Sequence, residues 1–147
     1  MSPDEVDAGN LAYELAQIRK ELGVIDRMLG KSRRLGRDEV QIRAAASSLQ
    51  SIYNGMEKML LTALRRTGRS VREGPTSHSY LLGEAMSSGI ISGELHSSLR
   101  DLMAFRHFYR HSYGFMIDHE LLNPLLQKVG GVVEMIAKEL NVQGRGA

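Results

Sequence analysis

From residue 11 onward the apolar residues of this chain advance in alternating steps of four and three: Leu11, Leu15, Ile18, Leu22, Ile25 and Leu29. That rhythm puts one side chain per turn on a single helical stripe. A strand, whose faces alternate at every residue, cannot satisfy it. A second helical run carries Val40, Ile42, Ala45, Leu49, Ile52, Tyr53, Met56, Met59, Leu60 and Leu64, and β-branched alternation is missing throughout. The spacing predicts an all-α chain. A first helix is expected from about Gly9 to Gly30, and a second from an Asp38 N-cap to near Gly68. The polar connection from Thr67 to Thr76 carries the breakers Gly68, Gly74 and Pro75. A third helix covers Tyr80 to Ile90, and Ser92-Gly93 separates it from a fourth that begins at Glu94. A fifth begins after Asp118 and runs to about Leu140, leaving a frayed tail from Gln143 to Ala147. Pro3, Pro75 and Pro124 all lie near proposed helix starts, where proline is tolerated. The expected architecture is an antiparallel bundle of about five helices in a single domain, residues 1–147, large enough to hold a core.

Composition removes several function classes. The chain has no Cys and no Trp, so there is no disulfide frame, thiolate metal site or thiol nucleophile. No apolar run approaches membrane-spanning length, and the start, Met1-Ser2-Pro3-Asp4-Glu5, is acidic rather than signal-like. A cytoplasmic protein without a membrane role is expected. The net charge is only +2, yet the basic residues cluster at Lys31, Arg33, Arg34 and Arg37, at Arg65, Arg66, Arg69 and Arg72, and in a central stretch. The first two clusters fall where helices should end and complement the macrodipole there. They also suit the rim of an anion-binding surface.

The central stretch, Phe105-Arg106-His107-Phe108-Tyr109-Arg110-His111-Ser112-Tyr113-Gly114-Phe115, holds all three Phe and two of the five Tyr. Upstream of it Leu95, Leu99 and Leu102 mark one helical face, and the rhythm then lands on Arg106, Tyr109 and Tyr113. A guanidinium stands where the pattern asks for leucine. Either its stem packs while its head reaches solvent, or the position is a functional site, since a buried cation is costly unless it is paired or faces a wet cleft. Helix four also carries Met103, Phe105 and Phe108 beside the leucine stripe. A helix apolar nearly all round needs burial on every side. A two-fold homodimer with this helix near the axis is therefore expected.

Several chemistries can be weighed at this centre. His107 and His111 have the i, i+4 spacing of two metal ligands, but the sequence supplies no third ligand at matching spacing, and no metal is expected. The glycines form no phosphate-cradling motif. A serine nucleophile would need an orienting acid that cannot be named. Phosphodiester cleavage without metal or cofactor remains. Arg106 would hold the scissile phosphate and stabilise its growing charge, and His111 would serve as general acid or base. RNA brings its own nucleophile, the 2′-hydroxyl. Residues five apart on a straight helix point roughly 140° from each other, so the two converge on one phosphate only if the helix kinks or ends near His111, or if two subunits each contribute.

Arg106, four residues, His111, one residue and Tyr113 form an R-x4-H-x-Y pattern that resembles the signature of HEPN-domain proteins. The chain is most similar to the HepT-like ribonuclease toxins paired with an MntA-type nucleotidyltransferase antitoxin. Ile52-Tyr53-Asn54-Gly55-Met56-Glu57 and His78-Ser79-Tyr80-Leu81-Leu82 also resemble that family, so the likeness spans roughly helix two to helix five. It implies a dimeric helical bundle with a composite RNA-cleaving cleft, Arg106 and His111 as the catalytic pair, and Tyr113 as the residue to which the antitoxin transfers AMP from ATP. His107 stands where many members have Asn, and its role is open between catalysis, substrate contact and packing. Arg110 is a candidate phosphate contact or a solvated surface residue. His78 reads as a helix-start or core histidine, and His96 and His119 as surface residues. Two function classes follow: an RNA endonuclease toxin neutralised by its partner, and a non-catalytic HEPN module that binds nucleotide or presents substrates to a nucleotidyltransferase.

Overall fold

The computed structural model describes residues 1–69 and 77–142, and among these there is helix and no strand. Five α-helices follow in order: α1 Pro3–Leu29, α2 Glu39–Arg66, α3 Ser77–Ser87, α4 Gly93–His111 and α5 His119–Glu139. Single 3-10 turns at Gly30–Ser32 and Gly114–Met116 follow α1 and α4. The expected all-α bundle is what forms.

Helix boundaries follow capping chemistry. Asp38, Ser92 and Asp118 are the N-caps of α2, α4 and α5, each accepting the backbone N–H three residues on. The first helix starts six residues before the expected Gly9, at Pro3. Ser2 accepts the Glu5 N–H at 3.2 Å, Pro3 occupies the first turn and Asp4 and Glu5 favour the positive end of the dipole. The apolar rhythm is silent over this turn because it lies in solvent. The third helix ends at Ser87, before the expected Ile90, where Gly89 turns into the left-handed region at φ 80°. The Pro75 breaker, Arg72 and the Gln143–Ala147 tail lie outside the described residues.

The longest helix, α2, packs against all four others. Its buried face runs from Ile42 through Leu49, Ile52, Tyr53, Met56 and Met59 to Leu64. Val40, read as part of that stripe, is 77% exposed, in the first turn of the helix. The most extensive pairing is between α1 and α2. Gly55 lets them approach, since a Cβ there would lie 2.7 Å from Ile18 Cγ1. α5 is tied to the α1–α2 connection by Asn123, which is 2% exposed. Its Oδ1 accepts the Leu35 N–H at 2.7 Å and its Nδ2 donates to the Leu35 carbonyl at 2.9 Å. A buried amide thereby satisfies both backbone groups of a buried loop residue. At the other end of α5, Glu139 accepts from the Ser92 N–H and Oγ at 2.6 and 2.7 Å, fixing the start of α4.

The basic clusters at helix ends are partly paired. Arg33 meets Asp26 at 3.1 Å and Arg69 meets Glu84 at 2.8 Å, both largely in solvent. No helix among the described residues is long and apolar enough to cross a membrane.

Candidate functional site

Helix α4 buries Leu95, Leu99, Leu102 and Phe105 against the bundle. Arg106 comes next on that face and is half-buried. The cation is held by hydrogen bonds. Its Nε donates to Asn54 Oδ1 of α2 at 2.8 Å, and its Nη1 lies 3.2 Å from His78 Nε2 of α3. The other nitrogen of His78, Nδ1, is 2.6 Å from Glu57 Oε2 on α2. The Glu57 side chain is 12% exposed and that of His78 37%. Three helices thus bring a carboxylate, an imidazole, an amide and a guanidinium into one connected chain.

Tyr53 lies beneath this chain. Its hydroxyl is buried without a well-aligned hydrogen bond. Burial, followed by the neighbouring Glu57 carboxylate, pushes its pKa far above the usual tyrosine value, against a smaller lowering by Arg106. The phenol stays neutral.

The imidazoles of the motif stand apart from Arg106. α4 is continuous through His111, its last residue, and Ser112 is already extended. His107 and His111 are both exposed, and their rings meet with centroids 4.4 Å apart. The helix runs through both Arg106 and His111, so the two point roughly 140° apart. A kink or an early helix end does not bring them together within the chain. Arg110 is exposed. Among the described residues no three of His, Asp and Glu converge in a metal-ligating group.

Tyr113 does not continue the α4 stripe as the rhythm suggested, because the helix ends two residues earlier. It is 72% exposed and stacks on Phe115, itself 70% exposed, with centroids 5.7 Å apart and planes 7° apart. Phe108 on α4, Met116 in the turn after it and Leu121 in the first turn of α5 are also exposed. Tyr109 turns inward, half-buried against Phe105 at 5.9 Å. A groove of about 310 Å³ runs past it, lined by Arg43, Ala46, Tyr109, Ser112, Gly114 and Ile117. Gly114 admits the Arg43 guanidinium, which would lie 2.9 Å from a Cβ at that position.

Sequence reasoning named Arg106 but missed what holds it. Asn54 and Glu57 are spaced i, i+3 on a helix whose neighbouring Tyr53 and Met56 are fully buried, so they sit at the margin of the core face. Polar residues at that margin were the available signal. His78, read as a helix-start or core residue, is indeed in the first turn of α3, but its ring reaches the guanidinium. His96 and His119 are half-buried rather than on the open surface.

Comparison with curated proteins and with solved structures gives no match in either case. A family model does match: that of the HepT-like protein family, over residues 44–145. The matched span takes in Asn54, Glu57, His78 and the whole of the motif from Arg106 to Tyr113, together with most of α2 and all of α3, α4 and α5. With this span covered and an all-helical bundle beneath it, the chain belongs to the HepT-like family of HEPN proteins.

Proposed function

We propose that this chain is the toxin of a toxin–antitoxin pair, a metal-independent RNA endonuclease whose active clefts form between two copies. Membership of the HepT-like family supports a HEPN-type toxin. The observation that carries the nuclease reading is Arg106: a guanidinium in a leucine position, fixed by Asn54 and His78 through two of its N–H groups. Its other donors are left for an anion. The exposed His111 lies on another side of the same helix. A second copy packed along α4, over the exposed Phe108, would bring its own His111 toward this Arg106.

In such a cleft the 2′-oxygen of RNA attacks the adjacent phosphorus while its proton passes to an imidazole. The bond to the 5′-oxygen breaks and that oxygen takes up a proton. The products are a 2′,3′-cyclic phosphate and a 5′-hydroxyl, with no water consumed. Arg106 stabilises the charge that builds on the phosphoryl oxygens, and His111 moves the proton. His107, in ring contact with His111, and the exposed Arg110 supply further phosphate contacts. A nucleotidyltransferase antitoxin of the MntA type would silence the cleft. The Tyr113 oxygen attacks the α-phosphorus of ATP, pyrophosphate leaves, and a bulky anionic phosphodiester remains beside the phosphate site. The exposure of Tyr113 supports its role as acceptor.

Purified protein in EDTA should cleave RNA, and Arg106→Ala or His111→Ala should each abolish cleavage. Co-assembly of the two variants should restore about a quarter of the activity, because random pairing makes half the dimers mixed and leaves each with one intact cleft. No recovery would place the whole site within one copy. Intact RNA with unmodified wild type would favour the non-catalytic HEPN module instead. With the partner and ATP, wild type should gain the mass of one AMP per chain, whereas equal labelling of Tyr113→Phe would reject Tyr113 as the acceptor.

A further inference from the structure

The contact between Arg106 and His78 decides which proton His78 carries. A guanidinium only donates, so the imidazole nitrogen 3.2 Å from Nη1 must be unprotonated. The proton therefore sits on Nδ1 and is donated to Glu57 Oε2 at 2.6 Å. A carboxylate that fixes the tautomer of a neutral imidazole is a familiar means of aiming its other nitrogen. Here that nitrogen is aimed at the arginine that opens the motif, with Asn54 holding the Nε edge at 2.8 Å. Arginine has five N–H donors. Two are engaged, and both on Nη2 with one on Nη1 are left to meet an anion.

We propose that Glu57 and His78 are positioning residues for Arg106: the carboxylate sets the Nδ1–H tautomer, and the bare Nε2 holds the guanidinium with its remaining donors turned to the RNA phosphate. This deepens the nuclease reading and rests on it. A long, half-exposed side chain otherwise samples many rotamers, and catalysis by charge stabilisation depends on the donors being in place before the charge develops. The groups that face His78 from the packed helices are Glu57, with the buried neutral Tyr53 behind it, on α2 and Arg106 on α4.

Cleavage should be followed in the steady state, over a range of RNA concentrations, in wild type, His78→Ala, His78→Gln and Glu57→Gln. Glutamine reproduces the neutral imidazole, its carbonyl facing Arg106 and its amide facing Glu57. His78→Ala should lose roughly 10- to 100-fold in kcat with a smaller change in KM, while His78→Gln stays within a few-fold of wild type. Long-range 15N–1H spectra should show the Nδ1–H tautomer for His78 and lose it in Glu57→Gln. A purely structural histidine would show no kcat-against-KM split and no better rescue by glutamine than by alanine. The proposal is overturned if active wild type and His78→Ala cleave alike, if glutamine rescues no better than alanine, or if His78 carries its proton on Nε2. Wild type that leaves RNA intact overturns the nuclease reading itself and this role with it, a result distinct from the other three.

Discussion

Replacing Arg106 with leucine restores the residue that the α4 stripe asks for, and so separates folding from chemistry. The substitution removes the hydrogen bonds to Asn54 and His78. In a fully buried setting such charged bonds are worth about 1.5–3 kcal/mol each, but this side chain is half-exposed, which cuts the loss to roughly 1 kcal/mol apiece. The new leucine extends the apolar surface of Leu102 and Phe105 and recovers about 1–2 kcal/mol. The two nearly cancel. Stability should stay within about 1 kcal/mol of wild type, a melting shift of no more than roughly 4 °C for a chain of this size. Loss of this fixed guanidinium from the phosphate should lower cleavage by about 10²- to 10³-fold. Thermal unfolding followed by the helical circular dichroism band and single-turnover cleavage of labelled RNA measure the two separately. An Arg106→Leu protein that melts like wild type and cleaves within tenfold of it would remove Arg106 from the site. One that loses more than about 3 kcal/mol would show that the guanidinium is a structural pin.

Three further outcomes test the fold around the site. Asn123→Ala leaves the buried N–H and carbonyl of Leu35 without their partners; it should cost about 2–4 kcal/mol in urea unfolding, and a loss under 1 kcal/mol would mean that water replaces the amide. Tyr53→Phe removes a buried hydroxyl that lacks a well-aligned partner, so stability at neutral pH should hold or rise. Because the folded state raises the pKa of this tyrosine above its ordinary 10.0, its contribution is intact below that value and fades as pH rises past it. Tyr53→Phe should flatten this alkaline loss, and identical alkaline unfolding of the two proteins would contradict it. Gly55→Ala gains about 1 kcal/mol of helix propensity but drives a Cβ to 2.7 Å from Ile18 Cγ1. Overpacking at about 1–3 kcal/mol should win, and a variant more stable than wild type would show that α1 can yield.

The helices were legible because their signals are local. Asp38 and Asp118 announce α2 and α5 within a turn, and the spacing of Leu11, Leu15 and Ile18 shows the buried face of α1 directly. Where the apolar rhythm had no core to report, it misled. It missed the capped turn at Ser2–Glu5, counted Val40 as buried and carried Tyr113 past the end of its helix. Arg106 was legible as a violation of a pattern. Its partners were not, because they lie 52 and 28 residues away in the chain, and Glu57 lies 21 from His78. No periodicity records which helices will face one another, so a polar residue at the edge of a stripe looks like surface until the bundle is assembled.

The grip of Glu139 on Ser92 has a practical corollary. It pins the far end of α5 to the pole of α4 where that helix begins, and its 19 residues span about 28 Å. A dye or surface linker attached at Glu139's end of α5 would therefore ride at the opposite pole from His111, leaving the arginine–histidine end open to single-molecule observation.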